Sequence, residues 1–358
     1  MDLHHVGLAV TDLYAQELFY RHVLGFGLAY RHRSRNTPGL RTVFLERGSV
    51  RLELLCEEGR SAHGAPGHLA FAVEDVDREH ARLARLGVAG LDAPRETGDG
   101  MREAHLRDPE GNLIEICARL RPPPREIAAA IFDLDGTLVD SEDNYYEADR
   151  LLLEERGIVL TRELKTQYVG RSNDEVLGAF RERFGLADPL AALVSRKNEL
   201  YLEIARRHTA VFPKMAEFAR GLRALGLPLA VASGSSPGVL AAILEQTGLA
   251  PLFQVALSSE GGPSKPHPDL FLETARRLGI EPHRTLVVED SQHGVEAAAR
   301  AFMPCVAVPL QTPPPPPPAF SCADLLFETG MPGFDPEAAL AFVRARLDEG
   351  VTPGPGEG

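Results

Sequence analysis

Residues 131–143 read IFDLDGTLVDSED, an apolar run that ends in a cluster of carboxylates. Ile131, Phe132 and Leu134 suit a buried strand, and Asp133 and Asp135, two residues apart, leave such a strand on the same side. Downstream, the strand-like stretches AAAIFDLD, PLAVAS, FQVALSS, TLVVED and CVAVP alternate with FARGLRALG, GVLAAILEQTG, DLFLETARRLG and GVEAAARAF, which have helical periodicity and glycine stops. That alternation predicts a parallel sheet with helices on both faces. Such a sheet carries its reactive groups at the carboxyl ends of its strands.

Four strand ends deliver polar groups to that edge. Asp133 and Asp135 follow the first, Ser233 closes the second, Lys265 follows the third within SKPHPDLF, and Glu289 and Asp290 follow the fourth. So many carboxylates together repel and resist ionising, which a hard divalent cation such as Mg²⁺ relieves through oxygen ligands. With the cation bound, an oxygen of Asp133 can attack phosphorus and form an aspartyl phosphate. Asp135 is placed to protonate the leaving oxygen and then to deprotonate water. Ser233 and the backbone from Gly234 can hold phosphoryl oxygens, while Lys265 offsets charge on phosphate and nucleophile.

The chain upstream has a different pattern. RLRPPPRE (119–126) cannot continue a helix or join a central strand, so residues 121–126 read as a linker after a domain spanning 1–120. Within that domain, HHVGLAVTDL (4–13) matches GHLAFAVEDV (67–76), setting His68 63 residues after His5. VRLELLC (50–56) matches NLIEIC (112–117), setting Glu115 62 residues after Glu53. Each copy reads as strand, helix, then several strands. Both glutamates sit between apolar neighbours, and an unpaired carboxylate on an enclosed face is costly, so a partner is expected. Two His and two Glu at equivalent points of a duplicated unit can converge on one ion, with ligands suited to Zn²⁺, Ni²⁺, Fe²⁺ or Mn²⁺. His4, His22, His32, His63, His80 and His105 are read as ordinary core or surface residues.

At 358 residues the chain has room for two or three domains, and 44% hydrophobic with 25% charged residues is ordinary for a globular protein. A formal net charge of −13 leaves no basic surplus to neutralise phosphates, so neither nucleic acid nor an anionic membrane is an expected partner. No run of about 18 apolar residues suggests a membrane span. Cys56, Cys117, Cys305 and Cys322 form no CxxC pair and are expected as reduced thiols in a cytoplasmic protein. Pro313–Pro318 reads as a surface loop, and the tail at 350–358 as disordered.

HHVGLAV, GHLAFAVEDVD and RDPEGNLIEI resemble the signature segments of the vicinal oxygen chelate superfamily, the glyoxalase/bleomycin-resistance-like proteins, over about residues 1–120. The resemblance implies paired βαβββ modules forming a metal cup, with His5, Glu53, His68 and Glu115 on the ligand positions, a set most like that of glyoxalase I. Ala9 and an apolar opening strand supply no basic residue for a glutathione carboxylate, so glutathione is not the expected substrate. Self-association through this domain is also expected from the family.

DLDGTLVDS, VASGSS, KPHPDLF and VVEDSQHG look like the four motifs of the haloacid dehalogenase-like (HAD) hydrolases, over about residues 126–335. This resemblance implies a Rossmann-like domain at 127–349 with an inserted α-helical cap at about 141–212, similar to the β-phosphoglucomutase/phosphoglycolate phosphatase-like branch. By it, Asp133 is the nucleophile, Asp135 the general acid/base, and Ser233 and Lys265 phosphate partners. Mg²⁺ is held by Asp133, the Asp135 carbonyl and Asp290, with Glu289 nearby. The dehalogenase branch lacks the second aspartate, so Asp135 favours phosphate over halide. YVGRSNDE (168–175) resembles the cap loop that meets substrate, making Arg171 a contact. Mutases of this branch carry a His twelve residues past the nucleophile, where this chain has Tyr145, and an Arg after the cap-loop Ser, where it has Asn173. Both departures favour water as acceptor.

The expectation is therefore a Mg²⁺-dependent phosphatase for a small phosphorylated metabolite, a sugar phosphate, fused to a glyoxalase-like metal domain. A sugar-phosphate mutase, or a first domain that is a lyase, an isomerase or a non-catalytic binding module, are the alternatives.

Overall fold

A computed structural model describes residues 2–59, 67–88, 90–107, 113–120, 127–168, 173–207, 209–310 and 316–347. The linker at 121–126, His63, Arg171, the first half of the late proline run and the tail lie outside the described residues. The chain divides into two compact units. One comprises Met1–Ile127 with Pro317–Asp324 and Ala345–Glu349, the other Ala128–Pro316 with Leu325–Arg344 and Gly350–Gly358.

The first unit repeats βαβββ: β1 (Asp2–Ala9), α1 (Leu13–Leu18), β2 (Gly27–Arg33), β3 (Leu40–Arg47) and β4 (Val50–Glu57), then β5 (His68–Ala72), α2 (Val76–Arg85), β6 (Arg95–Glu96), β7 (Met101–Arg107) and β8 (Leu113–Arg119). One curled sheet results, in the order β2-β3-β4-β1-β5-β8-β7-β6, with the modules joined through antiparallel β1 and β5. The helix caps repeat as well. Asp12 accepts from the Ala15 amide and Asp75 from the Arg78 amide, each satisfying a free N–H of the first turn.

The strand register repeats with them. Gly7, two residues after His5, pairs with Glu53 in a parallel ladder, and Ala70, two after His68, pairs with Glu115. Alternation then places both His and both Glu on one face. Their neighbours Leu52, Leu54 and Ile116 are buried on the other, where Ile116 packs with Val76 and Leu83 of α2. The late segments belong to the same unit. The buried Arg31 donates to both Asp324 oxygens at 2.8 and 2.9 Å and to Glu17 at 2.7 Å, and Ile127 bridges to Leu347.

The second unit contains β9 (Ala129–Phe132), β10 (Val139–Asp140), β11 (Ala210–Val211), β12 (Leu229–Ser233), β13 (Val255–Ser258), β14 (Thr285–Glu289), β15 (Cys305–Ala307) and β16 (Leu325–Leu326). Six of these form a parallel sheet in the order β13-β12-β9-β14-β15-β16. Every residue of the central β9 is fully buried, as a strand covered on both faces requires. The short β10–β11 pair carries the chain into and out of a helical cap of α3 (Glu142–Glu154), α4 (Arg162–Thr166), α5 (Asn173–Phe184) and α6 (Leu190–Arg207). The sheet's own helices are α7 (Pro213–Ala224), α8 (Pro237–Gln246), α9 (Asp269–Leu278), α10 (Gln292–Arg300) and α11 (Pro336–Arg344). Among the described residues no helix is long and apolar enough to cross a membrane, and all four cysteines are free and buried.

Candidate active site and metal cup

The chain turns sharply as it leaves β9. Gly136, at φ +85°, permits the turn, and a Cβ there would stand 2.4 Å from Asp290 Oδ2, so the first and fourth strand ends meet over a residue without a side chain. Asp133 is buried and paired with the Lys265 ammonium, which also donates to Glu289 Oε1 at 2.6 Å. Glu289 Oε2 accepts from the Asp290 and Ser291 amides at 2.9 Å each and from the Ser291 hydroxyl at 3.0 Å. The two Glu289 oxygens thus meet Lys265 and the turn into α10.

Asp290 accepts from the Thr137 hydroxyl at 3.1 Å. Burial, with Glu289 and Asp135 adding repulsion, pushes Asp133 up to about 8 against the pull of Lys265. Burial, then Glu289 and Asp133, holds Asp290 well above the usual carboxylate range. One ammonium does not offset this cluster, and its donors are all oxygen. That chemistry fits a hard divalent cation.

Asp135 has a different set of partners. Its Oδ2 accepts from the Ser233 hydroxyl at 3.1 Å and the Ser235 hydroxyl at 2.8 Å, and its Oδ1 accepts from the Tyr201 hydroxyl at 3.1 Å. Ser233 is fully buried and accepts from the Ser235 amide at 3.0 Å. Gly234 is exposed, with nothing within 4 Å of where a Cβ would be, which leaves its backbone open to a ligand. One residue past Ser235 begins a cavity of about 980 Å³, lined by Ser195, Asn198 and Glu199 of α6 together with Ser236 and Glu260.

In the first unit the matched quartet converges. His5 Nε2 and His68 Nε2 lie 2.7 Å apart. Glu53 Oε2 is 3.2 Å from each, and Glu115 Oε2 is 3.2 Å from His68 and 3.9 Å from His5. All four side chains are buried. Burial alone would raise Glu53, but hydrogen bonds from His5 and His68, with their charges, hold it down to about 2. Burial alone would lower His68, yet its bonds to Glu115 and Glu53 push it up to about 10. Two imidazoles and two carboxylates facing one point fit a divalent transition metal.

Two histidines set aside in the sequence border this cup. His4 Nδ1 lies 2.8 Å from His5 Nδ1, and Arg51 donates to His4 Nε2 at 3.0 Å, which leaves a neutral His4 its Nδ1–H to give to His5. Burial, then His5 and Arg51, lowers His4 to about 4. His105 stands 3.9 Å from Glu115 and 3.3 Å from Asp92. The pairing of β7 with β8 sets His105 directly opposite Glu115. Nothing in the repeat marked either histidine, because the partner module has no counterpart. In the second unit the missed residues are Ser235 and Tyr201. VASGSS did contain Ser235, whereas no local pattern ties Tyr201 to a residue 66 positions earlier.

Comparison with known proteins assigns families to both parts of the chain. The family model of the haloacid dehalogenase-like hydrolases matches residues 127–301, and that of the Glyoxalase/Bleomycin resistance protein/Dioxygenase superfamily matches residues 2–116. Hexitol phosphatase B of Escherichia coli (strain K12) is 30% identical over 189 residues, 52% of this chain and 85% of that protein. Phosphoglycolate phosphatase of Escherichia coli O157:H7 is 31% identical over 205 residues, 51% of this chain and 81% of that protein. The crystal structure of CbbY from Rhodobacter sphaeroides in complex with phosphate has the same fold, at 24% identity and a TM-score of 0.51, over 57% of this chain and 95% of that one. The chain therefore belongs to the HAD-like hydrolases, as a phosphoric monoester hydrolase related to the phosphoglycolate phosphatases, and also carries a glyoxalase-superfamily domain.

Proposed function

We propose that the second unit hydrolyses a small phosphorylated metabolite, a sugar phosphate, in a Mg²⁺-dependent reaction through an aspartyl phosphate on Asp133. The observation that carries this reading is the division of partners at one sheet edge. Asp133 faces an ammonium, and Asp135 faces hydroxyl groups.

In the first half-reaction a carboxylate oxygen of Asp133 attacks phosphorus, the ester P–O bond breaks, and Asp135 gives its proton to the departing oxygen. In the second, Asp135 takes a proton from water, whose oxygen attacks the acyl phosphate, releasing phosphate and restoring the Asp133 carboxylate. Lys265 stays between Asp133 and Glu289 and offsets the negative charge that gathers on the phosphoryl group. Ser233 and the open backbone at Gly234 hold phosphoryl oxygens. Asp133, Asp290 and the Asp135 carbonyl would hold Mg²⁺, whose charge, when bound, offsets the crowded carboxylates.

Two features favour a sugar phosphate and water. Ser195, Asn198 and Ser236 offer the adjoining cavity hydrogen-bonding groups for hydroxyls. Tyr145 and Asn173 stand where mutases of this branch carry a His that governs the aspartate proton and an Arg, which favours water as acceptor. In the first unit, His5, Glu53, His68 and Glu115 would hold a divalent transition metal, which when bound supplies Lewis acidity to a chelating substrate.

The test is release of inorganic phosphate from p-nitrophenyl phosphate and a panel of sugar phosphates, with and without Mg²⁺. Dependence on Mg²⁺ and loss of at least about a hundredfold in Asp133→Asn are expected. Activity that survives this substitution defeats the mechanism.

A further inference from the structure

We infer that Tyr201, carried on α6 of the cap, is a positioning residue for Asp135, so that the acid/base is correctly aimed only while the cap is seated on it. The inference rests on the reading of Asp135 given above. Three hydroxyls hold this carboxylate, and they are not equivalent. Ser233 and Ser235 come from the end of β12 and both donate to Oδ2, whereas Tyr201 donates to Oδ1. Among the described residues Tyr201 is thus the group that fixes the rotation of the carboxylate about its own axis.

The phenol is itself firmly based. Leu193, Lys197, Tyr201 and Ala205 recur every fourth residue along α6 and are all buried. The Tyr201 ring packs on that of Tyr145 from α3, with centroids 4.4 Å apart, and the Tyr145 hydroxyl lies 2.9 Å from Ser235 Oγ. Behind Tyr145, Lys197 Nζ lies 5.6 Å from the ring centroid and 2.5 Å from the fully buried Asp149, which Lys165 also meets at 2.5 Å. A buried tyrosine that served only as packing would do equally well as phenylalanine, and its hydroxyl would settle on any nearby carbonyl. Here two cap tyrosines aim their hydroxyls at the acid/base and at the serine beside it.

A leaving-group comparison separates positioning from packing. The quantity kcat/KM covers the steps up to formation of the aspartyl phosphate. Departure of p-nitrophenolate needs no proton, whereas departure of an alkoxide from glycerol 2-phosphate does. Tyr201→Phe keeps the ring and removes the hydroxyl. Expected is a fall of about tenfold or more in the ratio of kcat/KM for glycerol 2-phosphate to that for p-nitrophenyl phosphate. Equal losses on the two esters, or no loss on either, overturn the inference, since altered packing would act on both alike. Absence of turnover of both esters by the unaltered enzyme overturns the reading of Asp135 itself, and the inference with it. Should Tyr201→Phe fail to fold, Tyr145→Phe, which frees Ser235 Oγ, is expected to lower the same ratio by a smaller factor. An unchanged ratio there overturns the inference as well.

Discussion

The imidazole of His68 lies across the backbone of Gly7, so close that a Cβ built on Gly7 would stand 2.2 Å from Cε1 and 2.3 Å from Nδ1 of the ring. These residues are direct partners where β1 meets β5. The seam between the two modules can therefore bring His5 and His68 together only because one position on it lacks a side chain. Gly7→Ala is expected to displace His68, reduce bound zinc well below one ion per chain, and destabilise the protein by about 1–3 kcal/mol. Elemental analysis and thermal melts of the zinc-loaded full chain check this. Full metal content in the variant would show that the ring has room elsewhere.

The cup also predicts a pH dependence. His68, raised from its ordinary 6.5 to about 10, contributes stability that is complete below 6.5 and lost as pH climbs through about 10. Glu53, lowered from 4.5 to about 2, contributes stability that is complete above 4.5 and lost as pH falls through about 2. Both contributions coexist between 4.5 and 6.5. In metal-stripped protein, the Tm gap between the parent chain and His68→Gln should be widest there and should shrink toward pH 10. Zinc affinity should run the other way and rise with pH, because His68 must release its proton to bind metal. A Tm gap that is flat across this range would count against the cluster as drawn.

Glu289 offers a test that turns on donors and acceptors alone. Its Oε1 accepts from Lys265, and its Oε2 accepts from two amides and a hydroxyl. A glutamine there must point its NH₂ at one of these donor groups, whichever way it flips. Glu289→Gln should therefore cost about 2 kcal/mol or more of stability, and misplaced Lys265 should lower kcat more than it alters the Mg²⁺ requirement. A variant whose only defect is a raised Mg²⁺ requirement would return Glu289 to the metal ligands.

The quartet of the cup was legible because duplication wrote it twice, and the register of β1 with β4 and of β5 with β8 preserves the spacing seen in the letters. The four strand ends were legible because a parallel sheet gathers such ends by construction. Side-chain direction was not. DxD placed Asp133 and Asp135 together without saying that one would meet an ammonium and the other three hydroxyls. His4, His105 and Tyr201 reach their partners through module pairing or cap packing, and neither has a local period. Nor did the sequence show how Glu289 folds back onto its own turn, for which Gly294 gives room, since a Cβ there would lie 1.8 Å from the Glu289 carboxyl carbon.

Arg31 and its partner Asp324 stand 293 positions apart in the chain, and Ile127 and Leu347 are joined across a similarly long stretch. Within its own module the Arg31 guanidinium meets Glu17, but its second carboxylate, Asp324, comes from a segment beyond β15. Removing one partner from a buried ion pair costs about 3–5 kcal/mol, so this long-range pair ties the late segment to the first unit. The first unit is thus closed by stretches of chain that the sequence places after nearly the whole hydrolase sheet, so cutting at the linker would not release it intact.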